Sequence, residues 1–115
     1  MEPTEQEVVG HLENELLDAW LKLRSFAIDL GPQKVHASAK AVMFSRSVCY
    51  LFVRTRKASL EICFFLPEKI AAPDFKSIQK VSKVKYAYTI LVVHEDQIAR
   101  PLTDWIEMAW EHSAR

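Results

Sequence analysis

At 115 residues, half of them hydrophobic and 26% charged, the chain has the size and balance of one soluble globular domain rather than a disordered polymer. No apolar run approaches the ~18 residues that would cross a bilayer, and Met1-Glu2-Pro3-Thr4-Glu5 is acidic without an apolar centre, unlike a secretory signal. Cytoplasmic location is therefore the expectation. The formal net charge is zero but unevenly distributed. Residues 1–30 carry two basic and seven acidic side chains, residues 31–90 eleven basic and three acidic, and residues 91–115 two basic and five acidic.

Thr4 and Glu7 have the spacing of a capping box. From there Val8, Leu12, Leu16, Trp20, Leu23, Ala27 and Leu30 recur at helical spacing and predict a long N-terminal helix. Gly10 weakens it, which leaves open a separate short helix before a main one from Glu13. Gly31-Pro32 ends the helix, a glycine that permits the stop followed by a residue that cannot continue it.

A β-rich centre follows. Val35–Ala37 and Ala41–Phe44 read as short strands, and Arg46-Ser47 as the turn into Val48–Arg54. The connector Thr55-Arg56-Lys57-Ala58 leads to Leu60–Leu66, whose alternation puts Leu60, Ile62, Phe64 and Leu66 on one face and Ser59, Glu61, Cys63 and Phe65 on the other. Register depends on the loop between these two segments, because a slip of one residue reverses every facing. An even loop places Cys49, Leu51, Val53, Leu60, Ile62 and Phe64 on one apolar face. Val48, Tyr50, Phe52 and Arg54 then lie beside Ser59, Glu61 and Cys63, with the cysteines on opposite faces. An odd loop groups Tyr50 and Phe52 with Leu60 and Ile62; the even loop segregates polarity more cleanly and is adopted.

After Pro67 a basic connection holds Pro73 and predicts one helical turn over Asp74–Ile78. Val84–Val93 is the third long strand, with Tyr86, Tyr88 and Ile90 on one face and Ala87, Thr89 and Leu91 on the other. His94-Glu95-Asp96 opens the last helix, where carboxylates suit the positive end. Pro101 implies either a first turn at Glu95–Ala99 with a restart or a kink, before the stripe Leu102, Trp105, Ile106, Ala109 and Trp110. The expected fold is a single compact α+β domain over residues 1–115. It has a mostly antiparallel sheet of about five strands, with long N- and C-terminal helices packed on it.

Cys49 and Cys63 read as reduced, buried thiols. His11, His36, His94 and His112 form no i,i+3 or i,i+4 pair, so no metal site is expected. There is no glycine-rich phosphate loop or nucleophile elbow, and no catalytic residue or cofactor is nominated. An enzyme would need Lys40, His36 and Glu61 to converge in one pocket. Binding has more behind it. Tyr50, Tyr86 and Tyr88 are interleaved with Lys40, Arg54, Arg56, Lys57, Lys83 and Lys85, an arrangement that suits base stacking plus phosphate attraction. The competing reading packs the tyrosines under a helix and leaves the cations as a solvated rim. The candidate binding residues are Lys40, Tyr50, Arg54, Arg56, Lys57 and Lys85, for nucleic acid or another anionic ligand. The alternative is a structural homodimer without a small ligand, in which a late tryptophan such as Trp110 anchors the interface.

Leu30-Gly31-Pro32, Lys40 followed by an apolar triplet and Phe44, Tyr50 with Val53, Leu66-Pro67 and the closing Trp105-Ile106-Glu107-Met108-Ala109-Trp110 occur in order. On these residues, spread over 16–113, the sequence resembles a small bacterial family of unknown function. That family is sometimes labelled "predicted transport protein" and is distantly similar to YdhG-like domains. The resemblance implies one compact α+β domain with a mostly antiparallel sheet, and brings no activity, catalytic residue or cofactor. Members often carry an uninterrupted acidic start to the last helix, where this chain has Pro101.

Overall fold

A computed structural model of the chain describes residues 3–38, 40–70, 75–83 and 85–114. Thr4 caps α1 (Glu5–Val9), its Oγ1 accepting from the Glu7 N–H at 3.2 Å. Gly10 closes that helix, and α2 (Asn14–Asp29) begins after a break. The helix at the N-terminus is therefore short, and the long one is the second. Arg24 of α2 pairs with Glu5 of α1 and ties the two together. Gly31 ends α2 with φ +145°, a region that favours glycine, and a Cβ there would stand 2.6 Å from Cζ2 of Trp110. One glycine thus stops the helix and lets the end of the chain approach it closely. The Gln33 side-chain amide covers the freed carbonyls, donating to Ala27 O at 2.6 Å and Gly31 O at 3.1 Å.

Six strands form one sheet in which every neighbouring pair is antiparallel. They are β1 (Lys34–Ala37), β2 (Ala41–Ser45), β3 (Cys49–Thr55), β4 (Leu60–Leu66), β5 (Ser77–Ser82) and β6 (Lys85–Val92), in the order β1-β2-β3-β4-β6-β5. The sixth strand is β5: Ser77 and Ile78, expected in a helical turn, are strand residues at the sheet's edge. Asp74 of that turn and Val84 of the third long strand lie outside the described residues. The connection into β5 is anchored by Tyr88, whose hydroxyl donates to Glu68 O at 2.5 Å and accepts from Ile70 N–H at 2.6 Å.

All three helices pack on one face. Trp20 of α2 meets Phe44 at 6.2 Å between ring centroids, Trp105 of α3 stacks on Phe64 at 6.1 Å, and Val8 and Val9 of α1 join the same core. The β3–β4 loop is even, Arg56 to Ser59, closed by Arg56 N–H to Ser59 O at 2.9 Å. Leu51, Val53, Leu60, Ile62 and Phe64 accordingly share the covered face and are fully buried.

Two residues depart from the expected facing. Phe44 opposes Leu51 while Ser45 opposes Cys49, so Tyr50 is the extra residue of a β-bulge. The insertion turns Tyr50 toward the helices, where it is 1% exposed, lies 6.5 Å from Phe44 and donates its hydroxyl to Gln33 Oε1 at 2.5 Å. Cys49 moves to the opposite face, the one that also carries Cys63; both thiols are free.

The last helix follows the restart alternative. His94 caps a single 3-10 turn, Glu95–Gln97, its Nδ1 accepting from the Asp96 N–H at 3.1 Å. Then α3 (Leu102–His112) begins after Pro101. Its end is gripped by the β2–β3 turn. The Arg46 guanidinium lies 3.8 Å from the Trp110 ring centroid and donates to Trp110 O, and the Ser47 N–H donates to Ser113 O.

Candidate functional site

The face away from the helices is built by the alternate residues of the same strands. At its centre Phe52 of β3 and Phe65 of β4 sit with ring centroids 6.0 Å apart. Cys63, opposite Phe52, and Ala87, opposite Phe65, complete an apolar floor. The Arg54 guanidinium lies over Phe52 at 5.2 Å and the Lys85 ammonium over Phe65 at 4.5 Å, one cation on each ring. Two partly exposed aromatics, each carrying a cation, form the middle of a face that no helix covers among the described residues.

Beside Phe52 the face deepens into a groove of about 550 Å³, lined by Lys40, Met43, Phe52, Arg54 and Arg56 among others. Glu61 is the one acidic residue within the six strands. It is 8% exposed and held by Arg56, whose Nε and Nη2 both donate to Oε2 at 2.5 Å, and by Lys76 Nζ at 3.5 Å. Burial pushes this carboxyl up. The Arg56 hydrogen bond and charge, with Lys76, more than offset that and leave it below its ordinary value. Glu61 is therefore an ionised, neutralised carboxylate, and Arg56 is largely occupied in holding it. Burial also raises both thiols, Cys63 to about 11, so they line this face as neutral side chains.

Of the residues nominated from sequence, Lys40, Arg54 and Arg56 meet in the groove and Lys85 lies on the far side of the aromatic pair. Lys57 is exposed on the β3–β4 loop. Tyr50 is not brought to this face; the bulge buries it beneath the helices, and Tyr86 and Tyr88 also pack on the helical side. Phe52 and Phe65 take the place expected of the tyrosines. Strand alternation had put both on the mixed face, so the signal for them was present although neither was nominated. Lys40, His36 and Glu61 do not converge: His36 lines a separate hollow with Glu5 at the β1 edge, and Glu61 is tied to Arg56 and Lys76.

Among the described residues no cluster of three or more His, Cys, Asp or Glu could hold a metal ion, and no helix is long and apolar enough to cross a membrane. No curated protein and no solved structure matches the chain. A family model described as a domain of unknown function, DUF5655, matches residues 7–113. Neither a transport role nor a YdhG-like kinship comes with that description. The match spans nearly the whole chain, from within α1 to the end of α3, and the chain belongs to the DUF5655 family of domains of unknown function.

Proposed function

We propose that this domain is a cytoplasmic, non-enzymatic binding module that takes single-stranded nucleic acid on its helix-free sheet face. The observation that carries the reading is the pair Phe52 and Phe65, side by side and flanked by Arg54 and Lys85. Unpaired bases present flat apolar surfaces that stack on such rings, at about 1–3 kcal/mol per base in single-strand binders, while the phosphates seek cations. Lys40, Arg54 and Lys85 serve that second need; Arg56 serves it less, being held by Glu61. A duplex hides its base faces, so single strands are the preferred form.

Titration of labelled single- and double-stranded oligonucleotides at two salt concentrations tests this. With three phosphates neutralised, a fourfold rise in salt weakens single-strand binding about 20-fold through counterion release. Phe65→Ala and Arg54→Ala each weaken it about tenfold, and Tyr50→Phe leaves it unchanged because that ring faces the helices. Absence of binding at low salt overturns the reading.

A second reading, a homodimer through the same face, draws on Leu91 and Val93, large apolar side chains left exposed on and just beyond β6. The cations oppose it, since self-docking sets Arg54 and Lys85 against their own copies. Light scattering across a concentration range decides, a monomer throughout removing the dimer.

A further inference from the structure

The end of the sheet where α3 terminates holds a separate hollow of about 250 Å³ that shares no lining residue with the Lys40–Arg54 groove. We propose that it is a binding site for a small organic monocarboxylate with an apolar body. Its walls come from four places: Val48 just before β3 with Cys49 and Tyr50 at its start, Phe65 to Pro67 at the end of β4, Lys85 at the start of β6, and Ala109, His112 and Ser113 at the end of α3.

The chemistry follows from which polar groups in the wall are already committed. The Tyr50 hydroxyl donates to Gln33, the Cys49 thiol to Leu51 O, and the Ser113 hydroxyl to Trp110 O. That leaves Lys85 and His112 to address a ligand, while the rest of the lining offers apolar contact. A helix C-terminus would ordinarily repel an anion. Here two carbonyls of that end already accept hydrogen bonds: Trp110 O from Arg46 as well as Ser113, and Ser113 O from Ser47. The charge nearest the hollow is that of Lys85, whose ammonium is held over Phe65 in its wall, with the His112 ring at the other side. One fixed cation among apolar walls matches one carboxylate on an apolar body, and supplies too few donors for a phosphate dianion. At ~30 Å³ per water the space holds on the order of eight waters, or one acid the size of benzoate.

The probes are benzoate and its near-isosteres benzyl alcohol and benzylamine, followed on the full chain by saturation-transfer NMR and calorimetry. Benzoate should bind at least tenfold more tightly than benzyl alcohol, and benzylamine more weakly than either. Lys85→Met should bring benzoate down to the level of the alcohol. Val48→Trp, a substitution at an exposed position that fills the mouth without touching the core, should weaken benzoate at least tenfold. Phe65 and Lys85 border both the hollow and the open face, so the discriminating variant is Arg54→Ala, which lies outside the hollow. It should leave benzoate binding intact while it weakens oligonucleotides, and the failure of one reading is thereby told apart from the failure of the other. No benzoate binding, equal affinity for benzoate and the alcohol, or full binding by a folded Val48→Trp protein each overturns the proposal.

Discussion

Phe64 and Phe65 are consecutive in β4 and point to opposite sides of the sheet. Phe64 is fully buried among Phe75, Tyr88 and Trp105; Phe65 is partly exposed, with Phe52 beside it and the Lys85 ammonium over its ring. The same contrast runs across the whole sheet. On the helical side the buried hydroxyls of Tyr50 and Tyr88 find internal partners, as burial in a low dielectric demands. On the other side the centre is also apolar, yet it is flanked by the cations Arg54 and Lys85, with no helix over it among the described residues. Hydrophobicity alone does not tell these faces apart. The distribution of charge does, and it separates the face covered by the helices from the face they leave open.

The largest effect expected from this contrast is in the neighbouring phenylalanines themselves. Phe64→Ala should cost about 3–5 kcal/mol of stability in urea unfolding, and Phe65→Ala less, about 2 kcal/mol, since its ring is partly exposed. Equal costs would mean that the open face is covered in solution. Next comes Gly31→Ala, which forces a Cβ against Trp110 in a backbone region hostile to it. About 2 kcal/mol is expected, read as a lowered thermal midpoint, and an unchanged midpoint would deny the close approach of α2 and α3.

The smallest effect belongs to the open face. Glu61 has a folded-state pKa below the ordinary ~4.3, with Arg56 and Lys76 outweighing burial. Its contribution is then complete at neutral pH and is lost as pH falls through that lowered value. Between pH 7 and pH 3, the stability advantage of the wild type over Glu61→Gln should shrink by about 1 kcal/mol, a modest figure because Arg56 is half exposed. An advantage that grows on acidification would reverse the sign of the coupling.

Much of this arrangement was legible in the residues. The alternation in Leu60–Leu66 is strong enough to orient β4, and an even loop then orients most of β3. Gly31-Pro32 marked the end of α2, and Pro101 the restart that begins α3. The bulge was not legible. Val48 to Val53 is apolar at every position, so no change of polarity marks where the extra residue enters, and Tyr50 and Cys49 were set on the wrong faces. Strand β5 was obscured for the opposite reason: Ser77-Ile78-Gln79-Lys80-Val81-Ser82 is a polar edge strand and needs little apolar patterning. Of the candidate site, the cations were visible from charge counting. The aromatic partners depended on register, and the tyrosines drew attention that belonged to Phe52 and Phe65.

The placement of all three helices on one side has an electrostatic consequence. Their outward surfaces carry Glu7, Glu15, Asp18, Glu107 and Glu111, while Lys34, Lys40, Arg54 and Lys85 lie on or beside the uncovered side of the sheet. The formal net charge is zero, yet these acidic and basic side chains lie on opposite sides of the sheet. Near a polyanion such a body experiences a torque before it makes contact, and rotates to lead with its cations and trail its helices. Orientation of this kind raises the fraction of productive encounters without adding a single contact to the final complex. It weakens as added salt shortens the screening length to about 8 Å at physiological ionic strength.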